Sequence, residues 1–294
     1  MDLFITFVLP VLVGIGIGIL SGMLGIGGGT VMVPIFRLAF DMSAIMSTAT
    51  SLFTIIPTSI SGAVSHVRNK TCIVSLGLAA GIGGACTSPL GVWLATKSSS
   101  WMIMTTAALI VGYSAISMLR KAFNTKPEQK ATDSKAAPTD SSVTNASTVV
   151  ASALEPSDGS GSDSASEKLS RKQLVLGAAI GLVAGLASGY VGVGGGFIMV
   201  PLMLSLVGIP MKKASGTSLI AVMILAIPGV IQQGLLGNIN YTAGIAIAVG
   251  SIPGAVIGAQ LVRKVPERIL RFIFGGFLIL AAVLLVLNET GILS

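Results

Sequence analysis

Two apolar stretches of this chain are interrupted by the same glycine cluster, and the two interruptions lie 167 residues apart. The first reads Ser21-Gly22-Met23-Leu24-Gly25-Ile26-Gly27-Gly28-Gly29-Thr30-Val31-Met32-Val33-Pro34. The second reads Ser188-Gly189-Tyr190-Val191-Gly192-Val193-Gly194-Gly195-Gly196-Phe197-Ile198-Met199-Val200-Pro201. From Gly14 to Pro34, 11 of 21 positions are identical at this offset, with no gap. The same offset pairs Thr50-Ser51-Leu52 with Thr217-Ser218-Leu219, Gly77 with Gly244, Gly83 with Gly250 and Gly91 with Gly258. Such a chain is one unit written twice, and each copy must house a backbone break inside an otherwise apolar run.

What surrounds the breaks is hydrocarbon in character. Of 294 residues, 52% are hydrophobic and 10% charged, whereas a soluble domain carries roughly a quarter charged residues. Apolar runs of about 20 residues recur, the length needed to cross a ~30 Å hydrocarbon core as helix. The expected class is an all-α polytopic membrane protein, multi-pass in the cell membrane, with the lipid bilayer as its solvent. The net charge of +7 sits on the membrane body, because residues 121–172 carry seven basic and seven acidic side chains. Lys and Arg flanking spans on the cytoplasmic side account for that excess. No basic patch with a readable nucleic-acid fold is present, so no nucleic-acid partner is expected.

The domain plan is a first membrane repeat over 1–120, a polar linker over 121–172 and a second repeat over 173–294. The linker is rich in Ser, Thr, Ala, Asp and Lys and reads as a disordered cytoplasmic tether. In the first copy, helical segments are expected at 3–24, 30–40, 44–64, 73–96 and 101–119. After the second break they are expected at 197–209, 214–233, 241–262 and 268–288. The first segment lacks a basic leader and reads as a retained helix. Placing Arg120-Lys121 and Arg171-Lys172 in the cytoplasm puts most positive clusters on one side. Equivalent loops of the two copies then face opposite sides, giving two inverted repeats of about five helical segments each. The parallel alternative strands one basic loop outside.

The chemistry is expected at the breaks. Gly27-Gly28-Gly29 and Gly194-Gly195-Gly196 leave backbone amides that no helix can satisfy, and in hydrocarbon each costs several kcal/mol unless it is buried in protein or lines a cavity. Glycine uncovers those amides, so consecutive N–H groups can converge on an anion. The piece after each break starts a helix, and a helix N-terminus favours negative charge. Broken helices meeting near mid-membrane at a repeat interface are a recurring transporter design. Whether the glycines are re-entrant or full spans stays open, as does a role in tight packing alone. Pro34 and Pro201 fix the bend and end local hydrogen bonding. Thr50-Ser51 and Thr217-Ser218 add small hydroxyls that either bond back to their helix or face a substrate.

Other chemistries are excluded by what is missing. No Asp, Glu, Lys or Arg falls mid-span, so no carboxylate proton relay is expected. His66, the only histidine, is expected in a solvated loop. Cys72 and Cys86 have neither CxxC spacing nor a histidine cluster, so no metal or cofactor is expected. No nucleophile–base set and no Gly-Lys-Thr follow-up exists, so the chain reads neither as a hydrolase nor as an ATPase.

The residues Gly25-Ile26-Gly27-Gly28-Gly29…Pro34 with Thr50-Ser51, and Gly192-Val193-Gly194-Gly195-Gly196…Pro201 with Gly216-Thr217-Ser218, resemble the sulfite exporter TauE/SafE family of membrane permeases. The likeness spans nearly the whole chain outside the 121–172 linker. It implies a secondary transporter of small sulfur-containing anions such as sulfite or organosulfonates, working by alternating access. An anion channel with the same donors, or a scaffold or receptor acting through the linker, are the competing classes. Such a chain can also assemble as a homo-oligomer.

Overall fold

The computed structural model describes residues 8–124 and 170–289. Among these residues the chain forms ten helices and no strand. The first copy holds α1 (Leu9–Leu24), α2 (Gly29–Phe40), α3 (Ala44–Arg68), α4 (Val74–Lys97) and α5 (Ser100–Asn124). The second holds α6 (Arg171–Val191), α7 (Gly196–Leu202, run on as a π-helical turn over Met203–Val207), α8 (Met211–Leu235), α9 (Tyr241–Leu261) and α10 (Glu267–Glu289). Helices α3, α4, α5, α6, α8 and α9 are each long and apolar enough to cross a membrane. This is a multi-pass membrane protein.

Helix ends follow local chemistry. Gly25 and Gly192 stop α1 and α6 in the left-handed conformation, each N–H returning to a serine carbonyl, Ser21 O and Ser188 O. Ser43 caps α3 through Met46 N, Asn240 caps α9 through Ala243 N, and Ser170 with Gln173 forms a capping box on α6. Segment 125–169, most of the expected tether, lies outside the described residues. Its expected borders are helical: α5 runs through Lys121, and α6 begins at Arg171. Lys121 Nζ donates to Pro201 O at 3.0 Å, joining α5 to α7.

Glycines set the packing. Along α1, a Cβ on Gly14, Gly18 or Gly22 would run into the carbonyl oxygens of Ile247, Ser251 and Ala255 on α9. Along α6, Gly181, Gly185 and Gly189 would meet those of Ala80, Gly84 and Ser88 on α4. Backbones approach this closely only where side chains are absent. Each copy's first helix is therefore seated in the other copy's fourth. The contacts are reciprocal residue by residue: Ile73 N donates to Thr217 Oγ1 at 2.9 Å, and its counterpart Asn240 N donates to Thr50 Oγ1 at 3.0 Å. Between α3 and α8 the order of contact reverses: Gly216 abuts His66, Leu219 abuts Gly62, and Gly229 abuts Leu52. The same reversal holds between α5 and α10, where Leu119 meets Gly275 and Phe123 stacks edge-on to Phe272. Both pairs of equivalent helices thus run antiparallel.

His66 departs from its expected place. Helix α3 continues past residue 64 to Arg68, which carries His66 into the last helical turn and buries it completely.

Candidate functional site

Both glycine clusters break the helix. After the Gly25 cap, Gly27 and Gly28 take φ of 76° and 85°; after Gly192, Gly194 and Gly195 take 90° and 67°. A side chain at these angles costs roughly 1–2 kcal/mol per residue, which is why glycine stands here. Helices α2 and α7 then start at Gly29 and Gly196, with Gly28 and Gly195 at their N-caps.

The breaks touch one another. A Cβ on Gly29 would lie 2.5 Å from Val193 O, and one on Gly196 would collide with Gly25 O. Ile26 and Val193, the single non-glycine residue within each Gly-X-Gly-Gly-Gly, are fully buried. Ile55 of α3 reaches both breaks, lying beside Gly27, Gly29 and Gly194.

The polar inventory here is unusual for a buried interior. Among the described residues, the N–H groups of Ile26, Gly27 and Gly28, and of Val193, Gly194 and Gly195, make no hydrogen bond. Buried hydroxyls of Ser21, Thr30, Ser51, Ser59 and Ser188 also lack partners. Of these, Ser21 stands beside Gly28 and Ser59 beside Gly27. Most buried polar groups are hydrogen-bonded, so a cluster of unpaired donors calls for an explanation. All are neutral, and none is held by an ion pair. Donors of this kind, with the N-terminus of α2 behind them, suit an anion and offer nothing to a metal or a nucleophile. No group of three or more His, Cys, Asp or Glu side chains that could hold a metal occurs among the described residues.

The expected site residues separate into two sets. The six glycines Gly27–Gly29 and Gly194–Gly196 come together at the contact of the breaks. Ser218 joins them, its Oγ donating to Gly25 O at 2.7 Å, with Ser215 O at 2.9 Å as the alternative acceptor for the same hydrogen. Ser51, the equivalent of Ser218, is buried with its hydroxyl unpaired. Thr50 and Thr217 face elsewhere, receiving the Asn240 and Ile73 amides. Pro34 and Pro201 lie buried within α2 and α7, and Pro201 O accepts from both Lys121 Nζ and Ser205 Oγ. Ser21, Ser59, Thr30 and Ser188 were not singled out as site residues. The pairing of Ser21 with Ser188 at the repeat offset was the available signal. A cavity of about 790 Å³ is lined by Tyr113, Tyr190, Ile198, Leu202, Lys121 and other residues, mainly of α5, α6 and α7.

Comparison with known proteins shows the family. The family described as "Sulfite exporter TauE/SafE" matches residues 10–285. The chain belongs to the TauE/SafE family. It is similar to the probable membrane transporter protein YunE of Bacillus subtilis, 26% identical over 283 residues that cover 94% of this chain and 95% of the relative. YdhB, a probable membrane transporter of the same organism, is 26% identical over 264 residues, 90% and 93% of the two chains. An Arabidopsis thaliana protein named "Sulfite exporter TauE/SafE family protein 3" is 30% identical over 116 residues, 38% of this chain and 24% of that one. No solved structure matches the chain significantly. TauE/SafE proteins are membrane transporters rather than enzymes, and membership implies a small-molecule substrate.

Proposed function

We propose that this TauE/SafE member is a secondary transporter of small sulfur-containing anions, sulfite or organosulfonates, and that it moves them by alternating access between two inverted repeats. One observation carries the reading: both helix breaks are buried against each other with their amides unpaired. In a low-dielectric interior an unpaired amide is costly, so a resident anion recovers what the empty site forfeits. Amides of Gly27, Gly28, Gly194 and Gly195, with the unpaired hydroxyls of Ser21, Ser51 and Ser59, are the donors assigned to the substrate, and Ser218 ties α8 to the first break through Gly25 O. Gly29 and Gly196 let the breaks approach, Thr50 and Thr217 hold the adjoining helix starts, and Pro34 and Pro201 shape the half-helices. A tetrahedral sulfonate or pyramidal sulfite presents three oxygens, which suits donors arriving from two sides.

Inversion is supported by the antiparallel course of α3 against α8 and of α5 against α10. Positive loops from different copies also converge at one end: Arg263 Nη1 lies 3.5 Å from Asn69 Oδ1, and Lys212 Nζ donates to Arg263 O at 3.2 Å. That end is assigned to the cytoplasm. Because each copy's first helix is locked into the other's fourth, the two seams move as units, and rocking them alternately uncovers the breaks. The test is uptake of labelled sulfite and of small sulfonates into proteoliposomes. Saturable, counterflow-competent flux is expected. Flux no greater than that of empty vesicles for every sulfur anion would defeat the proposal, and unsaturable flux would mark a channel.

A further inference from the structure

We propose that His66 is a proton-binding site linked to the anion site, so that the protein binds a proton and its anion cooperatively. This rests on the anion-carrier reading above and adds the coupling ion to it.

Among the described residues, His66 is the only ionisable side chain that is fully buried. Its ring is held at both nitrogens: Nε2 lies 2.8 Å from Gly22 O and Nδ1 2.7 Å from Thr71 Oγ1. A carbonyl oxygen only accepts, so Nε2 carries a hydrogen. Thr71 Oγ1 is also placed to donate its own hydrogen to His66 O at 3.3 Å, which turns a lone pair towards Nδ1. With the hydroxyl so turned, both ring nitrogens face acceptors, the arrangement an imidazolium requires. When the ring is neutral, the same hydroxyl rotates and donates to Nδ1 instead. The pair therefore accepts or gives up one proton by turning a single O–H, with water at the adjoining 69–71 loop as source and sink.

His66 also stands where that charge is felt at the breaks. Gly22 belongs to the last turn of α1, one turn before the Gly25 cap, and Gly216 of α8 abuts Nδ1 from the other copy. Helix α1 brings no ionisable group to this contact. Among the described residues, the charged groups on the remaining neighbours are cations: Arg68 of α3, Lys70 in the loop, Lys212 and Lys213 at the start of α8, and Arg263 and Lys264 beyond α9. Cys72 follows Thr71 as a free thiol. Among the described residues, the carboxylate at this end is Glu267, which accepts from Met211 N and Arg271 Nη2. A proton added to His66 places a positive charge one helical turn from the first break, and an arriving anion supplies the compensating charge. By linkage the anion tightens proton binding and the proton tightens anion binding by the same factor.

The second copy provides an internal contrast. At the repeat offset, His66 becomes Gln233 and Thr71 becomes Asn238, and Asn238 Nδ2 donates to Gln233 Oε1 at 2.7 Å. The bridge is retained there in a form that cannot titrate.

A lone histidine gives one imidazole signal, so NMR titration of histidine-labelled protein reads this site alone. The probe is methanesulfonate, which stays ionised throughout and cannot carry the proton itself. Saturating methanesulfonate is expected to raise the His66 midpoint by about one pH unit, and methanesulfonate affinity should rise about tenfold from above the midpoint to below it. In H66Q that tenfold pH dependence should fall to less than twofold. An imidazole midpoint indifferent to bound methanesulfonate overturns the inference even if H66Q does not fold, as does a pH dependence that survives in H66Q. Failure of the wild-type protein to bind either methanesulfonate or sulfite would instead remove the anion-carrier reading beneath it.

Discussion

The break at Gly25–Gly29 and the break at Gly192–Gly196 share a backbone and differ in what secures them. On the first, Ser218 Oγ donates to Gly25 O, and His66 reaches Gly22 O one turn away. On the second, the equivalent Ser51 hydroxyl is unpaired, and Gln233, in the place of His66, keeps an unpaired Nε2. The helix after the first break runs unbroken for 12 residues, whereas the one after the second lasts 7 before widening into the π-helical turn. Glycine geometry was duplicated and kept, while the polar ties diverged. The two breaks thus differ at matched positions: Ser218 and His66 are tied to backbone carbonyls at the first, while their counterparts Ser51 and Gln233 keep unpaired donors at the second.

The largest expected effect tests what is common to both. G29A and G196A each drive a methyl into the backbone of the opposite break, so both should lower sulfite flux by more than about a hundredfold, since misplacement near 1 Å can cost that much. Gly276 has open space around it, and G276A should behave as wild type in the same assay. If G29A and G196A both transported normally, the contact between breaks would have no functional meaning.

Next comes the left-handed geometry. G28A and G195A should each cost about 1–2 kcal/mol, measured by thermal unfolding in detergent. G16A, inside α1 with nothing near it, should be neutral or stabilising by up to about 1 kcal/mol. The comparison sharpens with the serine pair. S218A loses a buried tie and should destabilise by about 1 kcal/mol. S51A removes an unpaired hydroxyl and should leave stability unchanged or improved while raising the KM for sulfite. Equal stability losses in the two would erase the asymmetry.

Helix existence was legible because breaks in this chain are chemical. Glycine clusters, Pro210 and the Lys and Arg pairs bounded the segments to within a few residues. Doubling pointed to Gly27–Gly29 and Gly194–Gly196, and the structure brings both triplets to one place. The seating of α1 on α9 was not readable, since glycine at i and i+4 announces a groove but not its occupant. Thr50 and Thr217 recur at the repeat offset, and recurrence alone does not separate a substrate contact from a repeated structural tie, here to Asn240 and Ile73 respectively. His66 lies on helix rather than in the expected loop because α3 continues through the polar stretch to Arg68. Its spacing from Ile55, Ser59 and Gly62 follows one helical face, which is the periodicity that marks it as part of α3.

The crossed seating of first and fourth helices also bears on how the molecule is made. When α1 leaves the ribosome, the residues that fill its grooves are more than two hundred positions from being synthesised. Until then the glycine furrows of α1 lack the helix that fills them in the finished fold. Assembly is therefore a late, concerted docking, in which the carboxy-terminal half completes its predecessor as it completes itself.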